Sequence, residues 1–188
     1  KAIRILPLRL PGIALFLLIL SCQIMAQGFR TFNGRNHPEL DWRVAETDHF
    51  KIIYPLHLTG IEEEAAAVAE ASYDALSANL NISFDERIKL YLSDEDEIAN
   101  GLATPLAGGY TTIWVHANES ATAFTGSAKW LRKVIPHELA HLFHYRATRT
   151  RLGLLAYAFG NPRPGFWTEG LAQYLTEPWD AMRGDRWL

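Results

Sequence analysis

Two short stretches between residues 42 and 54 have sequences that are typical of β-strands. The run from His49 to Tyr54 alternates in a way that indicates a strand with at least one buried face, and Trp42 to Ala45 is a second β-type run. Only Glu46-Thr47-Asp48 separates them, so we predict a hairpin. Arg87 to Ser93 alternates in the same way and predicts a further strand with one buried face.

The period changes to that of a helix after the hairpin. Thr59-Gly60-Ile61-Glu62 has the residue types of a capping box, which predicts a helix beginning there. The helical spacing is carried by Ile61, Ala65, Val68, Ser72, Leu76 and Leu80. The acidic run Glu62-Glu63-Glu64 is better interpreted as a solvated helix start, favoured by the helix dipole, than as a cation site.

A second helix-periodic run, Lys133 to Tyr145, contains the pattern His137-Glu138-x-x-His141. Pro136 precedes the first histidine, so either the helix begins at this proline or a longer helix kinks there. In both cases His137 and His141 lie one turn apart on the same face, where two imidazoles can converge on one ion. Zinc suits such a pair at about 2.0–2.1 Å from each nitrogen, with Glu138 near enough to take the proton of a bound water.

A third ligand is predicted downstream. Pro164 to Tyr174 indicates the start of another helix, with Glu169 in its first turn. A catalytic zinc ion needs three protein ligands and an open position, and two histidines with one glutamate form a known set. An empty site would leave two imidazoles and a carboxylate in apolar surroundings, which is unfavourable unless they find hydrogen bonds.

These two motifs together carry a family resemblance. His137-Glu138-x-x-His141, followed by Trp167-x-Glu169-Gly170-x-Ala172-x-Tyr174, resembles the gluzincin metallopeptidases, in particular the bacterial peptidase MA-like domains that often precede a β-propeller. The resemblance implies that His137, His141 and Glu169 bind Zn²⁺ and that Glu138 is the general base. It also implies hydrolysis of peptide bonds in a peptide or protein substrate.

The fold expected on this basis is α+β and zincin-like. We expect a small twisted, mostly antiparallel sheet of about four strands, with the active-site helix and further helices packed on one face. In gluzincins the strand before the zinc helix lies at the sheet edge and pairs with the substrate backbone, a place that Tyr110 to Val115 would take here. The alternative is an ordinary short edge strand.

Other zinc-protease families fit less well. Metzincins require a glycine and a third histidine after the first pair, where this chain has His144 and Ala147. The alternative from a different class is a catalytically silent zincin-like domain that acts as a binding or scaffold module for a C-terminal β-propeller. An open coordination position distinguishes the two hypotheses.

The first 26 residues have the layout of a secretory signal peptide. Three basic residues precede the apolar run Gly12 to Leu20, and Ala26 offers a small residue at a cleavage point. An uncleaved signal anchor, or a lipoprotein with Cys22 lipidated, are the alternatives that would attach the protein to a membrane. We therefore expect an exported bacterial protein, periplasmic, outer-membrane-associated or extracellular, in which residues 27–188 form the peptidase domain as a fragment of a longer chain.

The net charge indicates which partners to expect, and the cysteine content indicates how the domain is stabilised. Removal of the leader takes three positive charges from a net charge of −3 and leaves −6, which gives no reason to expect nucleic acid as a partner. The single cysteine, Cys22, lies in the leader, so the mature chain can form no disulfide. Its stability must therefore come from a buried core.

The remaining candidate residues receive structural interpretations. His144 shares the face of the histidine pair and is interpreted as a core histidine, whereas His37, His49, His57 and His116 have no companions at ligand spacing. Asp94-Glu95-Asp96-Glu97 lacks the spacing of a calcium loop and indicates an exposed acidic helix start. Tyr145 and Tyr174 are candidates for stabilising the oxyanion.

Overall fold

The structure is a computed structural model that describes residues 37–95, 101–105, 108–116, 130–148 and 165–176. The predicted signal peptide and Cys22 lie outside these ranges. The strands are β1 (Trp42–Glu46), β2 (Phe50–Pro55), β3 (Ile88–Ser93), β4 (Gly101–Thr104) and β5 (Tyr110–Trp114), and the helices are α1 (Ile61–Leu80), α2 (Leu131–Ala147) and α3 (Gly165–Thr176). A short 3₁₀ turn, Leu56–Leu58, joins β2 to α1.

The strands form one mixed sheet in the order β1-β2-β3-β5-β4. The predicted hairpin is confirmed, because β1 and β2 pair antiparallel. The two inner pairs, β2 with β3 and β3 with β5, are parallel, and β4 pairs antiparallel with β5. The α+β class is confirmed, but the sheet is mixed rather than mostly antiparallel because α1 forms a crossover that returns the chain parallel to β2.

One face of the sheet is covered by helices and forms the core. The register places buried apolar residues of three neighbouring strands on this face: Phe50, Ile52, Ile88, Leu90, Leu92 and Ile113. Helices α1 and α2 pack against it and against each other. Lys51 and Lys89, on the opposite face, stay partly or fully exposed. The expectation that the helices pack on one face is therefore confirmed for the described elements.

The start of α1 differs from the predicted capping box. The residue that caps the helix is Gly60, in the left-handed region at φ 102°, which glycine adopts without strain because it has no Cβ atom. The Thr59 hydroxyl donates to the carbonyl of Leu56 at 2.6 Å, and the helix has no side-chain cap hydrogen bond. Half of the predicted arrangement survives, because the Glu62 carboxylate accepts a hydrogen bond from the Gly60 N–H.

The strand predicted over Tyr110 to Val115 forms as β5, but it is not an edge strand. Strand β4 pairs along its full length with β5, on the side away from β3, and occupies the edge itself. The expectation that this strand has a free edge for a substrate is therefore wrong. The reason is the four-residue strand Gly101–Thr104, which is too short to show an alternating pattern.

None of the described helices combines the length and the apolar composition that crossing a membrane requires.

Candidate metal centre

Helix α2 carries the His-Glu-x-x-His motif on a largely buried surface. The helix runs from Leu131 to Ala147 with Pro136 inside it, so it begins before the proline, as the alternative of a longer helix requires. Proline has no N–H, and the carbonyl of Arg132 therefore lacks its usual helical donor at this turn. Apolar residues before and within the motif, including Ile135 and Leu139, are fully buried and hold the helix against the sheet.

The two histidines meet on one face of α2. Their ring centroids are 4.8 Å apart and the rings are nearly perpendicular, at 89°. The side chain of His137 is 14% exposed and that of His141 is 8% exposed, so both imidazoles border a site that solvent reaches only in part. The spacing of four residues in the sequence produces this convergence directly.

Helix α3 brings the predicted third residue to the pair. Thr168, Ala172 and Thr176 recur every four residues and are buried, which gives α3 a narrow face of small side chains that packs against α2. Glu169 lies beside that face. It is the fifth residue of the helix rather than part of the first turn, because α3 begins at Gly165, earlier than the motif indicated.

Glu169 contacts both histidines at once. Its Oε2 lies 3.0 Å from Nε2 of His137, and its Oε1 lies 3.4 Å from Nε2 of His141. The structure thus brings Glu169 to two histidines on another helix. Glu169 is 32 residues from His137 and 28 residues from His141 in the sequence. Their role as metal ligands stays a prediction.

The contact with the histidines stabilises the ionised form of the glutamate. Hydrogen bonds from His137 and then His141 hold the pKa of the Glu169 carboxyl well below its ordinary value of 4.5, against the smaller opposing effect of burial. The carboxyl group is therefore a carboxylate at neutral pH, which is the form that binds a cation.

Glu138 lies beside the histidine pair and is almost fully buried. Its carboxylate belongs with His137 and His141 to a group whose potential ligand atoms all lie within 4.8 Å of one another. A Cβ atom built on Gly101 would lie 2.5 Å from Cγ and 2.6 Å from Oε1 of Glu138. The edge strand β4 therefore touches the predicted general base through a residue that has no side chain.

Gly101 is the residue that sequence analysis missed. It stands opposite Ile113 in the β4–β5 register and so lies on the helix-covered face of the sheet. A glycine in a short unpatterned segment gives no signal of this kind, and the contact becomes visible only when β4 and α2 are placed together.

The donor set fits a zinc ion. Around a tetrahedral ion bound at about 2.0–2.1 Å, ligand atoms lie about 3.3 Å apart, close to the distances that Glu169 keeps from the two imidazoles. Nδ1 of His141 is buried and has no hydrogen-bond partner among the described residues. The outer-shell acceptor that commonly orients a metal-binding imidazole is therefore not supplied to His141 within the described ranges.

The other histidines and the two tyrosines lie in different surroundings. His144 is buried, with its ring 6.0 Å from that of Tyr145, as a core histidine would be. Tyr145 also stacks at 6.3 Å on His141, whereas Tyr174 is 71% exposed. The sequence spacing was misleading for two histidines: His57 and His116 both reach the carboxylate of Asp94.

Comparison of the chain with models of protein families, with curated proteins and with solved structures found no significant match. The fold and the site geometry must therefore support any functional assignment.

Proposed function

We propose that the protein is a zinc-dependent metallopeptidase that hydrolyses peptide bonds, with His137, His141 and Glu169 as the metal ligands and Glu138 as the general base. The observation that carries the proposal is the contact of one carboxylate, Glu169, with Nε2 of both histidines at 3.0 and 3.4 Å. Three donors of the types that zinc prefers meet there, and a second carboxylate lies next to them.

Zinc held by these residues would lower the pKa of a bound water toward about 7 and would polarise the scissile carbonyl. Glu138 then accepts the proton of the attacking water on its carboxylate. The peptide C–N bond breaks after the water oxygen has added to the carbonyl carbon, and Glu138 passes the proton to the leaving amine. The products are a carboxylate and a protonated amine, which holds both protons of the water, and Glu138 returns to its ionised form.

The buried position of Glu138 supports this role. A carboxylate with 6% relative exposure has its rotamers limited by neighbours, so it stays close to the reacting water without a large entropic penalty. The motifs' resemblance to gluzincins, and the signal-peptide layout of the first 26 residues, extend the proposal to an exported enzyme that acts on peptides or proteins.

The decisive experiment compares three substitutions. Glu138→Gln should retain zinc and lose the hydrolysis of a casein-like substrate by about 10²–10⁴-fold, because a carboxamide accepts no proton. His137→Ala should lose both zinc and hydrolysis. His49→Ala is the matched control, since this histidine pairs with Glu70 and not with the proposed metal ligands. It should change neither zinc binding nor hydrolysis.

Two outcomes would contradict the proposal. Hydrolysis that survives in Glu138→Gln excludes this carboxylate as the base. Zinc that binds through His137 and Glu169, without any hydrolysis or any competition by zinc-directed protease inhibitors, would favour a silent domain that serves as a scaffold for a β-propeller.

A further inference from the structure

A second group of metal-binding side chains lies at one end of the sheet. Strands β2, β3 and β5 are parallel neighbours, so their carboxyl ends meet at the same end of the sheet. His57 follows β2 in the 3₁₀ turn, Asp94 comes directly after β3, and His116 comes two residues after β5. Topology thus collects three residues that are far apart in the sequence.

Asp94 is the centre of this group. Its Oδ1 lies 2.7 Å from Nε2 of His57, and its Oδ2 lies 3.9 Å from Nε2 of His116. The potential ligand atoms of His57, Asp94 and Glu95 all lie within 4.8 Å of one another. The Glu95 N–H donates to Oγ of Ser93 at 3.3 Å, which fixes the backbone of Glu95 against the end of β3.

We propose that His57, Asp94 and Glu95 bind a divalent cation of the zinc class, with His116 as a further ligand. Imidazole nitrogens suit zinc, nickel and copper, whereas calcium and magnesium prefer sites built from oxygen atoms alone. Ligand atoms on a tetrahedral zinc ion lie about 3.3 Å apart, so the distances of 2.7 and 3.9 Å need only small side-chain movements.

The surroundings allow these movements. The side chain of Asp94 is 19% exposed, whereas those of His57 and His116 are 46% and 71% exposed, so the two imidazoles have room to change rotamer. An ion bound there would tie the turn after β2 to the ends of β3 and β5. The proposal does not depend on the peptidase assignment, because none of these four residues belongs to the centre on α2 and α3.

The test measures zinc stoichiometry by equilibrium dialysis and elemental analysis. The wild-type protein should bind two zinc ions, and His57→Ala or Asp94→Asn should each bind one, because a ligand is lost from only one of the sites. The control His49→Ala should bind two, since His49 forms a comparable histidine–carboxylate pair at 2.6 Å without belonging to a group of three potential ligands among the described residues.

The same series separates this inference from the proposed function. If His137→Ala removes one ion and His57→Ala removes none, the second site is wrong and the centre on α2 stands. If His57→Ala removes an ion and His137→Ala removes none, the second site stands and the assignment of the centre on α2 is wrong. Stoichiometry that is the same in the wild type, His57→Ala and Asp94→Asn would show that the group is an ordinary surface ion pair.

A second measurement avoids substitution. Zinc titration of the wild-type protein, labelled with ¹⁵N, should shift the imidazole nitrogen resonances of His57 and His116, whereas calcium at the same concentration should not. The resonances of His49 should stay unchanged with both ions. Unshifted His57 resonances at saturating zinc would overturn the proposal.

Discussion

Gly101 and Glu138 approach each other more closely than any residue with a side chain would permit. A Cβ atom at position 101 would lie 2.5 Å from Cγ of Glu138, well inside the normal contact distance. The φ angle of Gly101 is not positive, so the requirement for glycine is steric rather than conformational. The edge strand therefore limits where the predicted general base lies.

Gly101→Ala should reduce hydrolysis without loss of zinc. The atoms in the way are Cγ, Cδ and Oε1 of the Glu138 side chain and not backbone atoms, so the carboxylate moves and the backbone stays. Displacement of a catalytic group by about 1 Å costs about 100-fold in rate, and the loss should appear in kcat more than in KM. Steady-state kinetics and metal analysis on the same preparation would check this expectation.

Gly170→Ala is the matched control for this substitution. Gly170 lies next to Glu169 on α3, and a Cβ atom built there meets no atom within 4 Å. Alanine in a helix is more stable than glycine by about 0.5–1 kcal/mol, so this variant should retain full activity with equal or higher stability. An equal loss of activity in both variants would contradict the steric argument.

Zinc should stabilise the folded protein through the centre on α2 and α3. At a free zinc concentration of about 100 times Kd, one site contributes about 2.7 kcal/mol to the free energy of unfolding, which corresponds to about 5–10 °C in the unfolding temperature. His137→Ala should lose this increment, and His49→Ala should keep it. Thermal unfolding with zinc and with a chelator would measure both. Equal zinc-dependent shifts in the wild type and His137→Ala would contradict the ligand assignment.

Acid should destabilise the protein in part through Glu70. Burial raises the pKa of this carboxyl, but hydrogen bonds from Thr47 and from the backbone N–H and ring of His49 outweigh it and hold the pKa below its ordinary value of 4.5. Because the folded-state pKa is depressed, the stabilisation is fully present above pH 4.5 and is lost as the pH falls through the folded-state value.

Glu70→Gln should therefore lower stability by about 1–2 kcal/mol at neutral pH and flatten the decline of stability below pH 4.5. Urea unfolding between neutral pH and pH 3 would measure this difference. Glu63→Gln, at an exposed position on the same helix, should leave the acid limb of the curve unchanged. Parallel curves for the wild type and Glu70→Gln would rule out this contribution.

Phe143→Ala should be the most destabilising of the substitutions considered. Phe143 is fully buried on α2 and makes edge contacts with Tyr73 at 5.5 Å and Phe84 at 5.0 Å. Loss of a buried phenylalanine costs about 3–5 kcal/mol. Val44→Ala, at a position that is 60% exposed, should change stability by no more than about 0.5 kcal/mol. Urea midpoints with an unchanged slope would test both expectations.

Strong local patterns in the sequence predicted much of the fold. The alternation in β2 and β3 and the helical period in α1 arise from the same buried face that the structure shows, so they could be identified without tertiary information. The spacing in α2 also placed His137 and His141 on one face, because four residues make about one helical turn.

The remaining features depend on tertiary contacts. Strand β4 has only four residues, and its pairing with β5 is decided by the neighbours rather than by its own pattern. The proximity of His57, Asp94 and His116 follows from the parallel order of three strands, which ligand spacing along the chain does not reveal. The contact between Gly101 and Glu138 depends on the pairing of β4 with β5 and on the packing of α2 beside β4, and neither can be identified from a local pattern.

The proposed ligand set is divided between two helices, and this division has a mechanical consequence. The buried side chains described on helix α3 are small, Thr168, Ala172 and Thr176, and the larger Leu175 is only partly buried against the core. An ion that bridges His137, His141 and Glu169 would link the two helices and stabilise their packing. Chelation should therefore accelerate hydrogen exchange of the α3 amides first, while the amides of β2 and β3 remain protected.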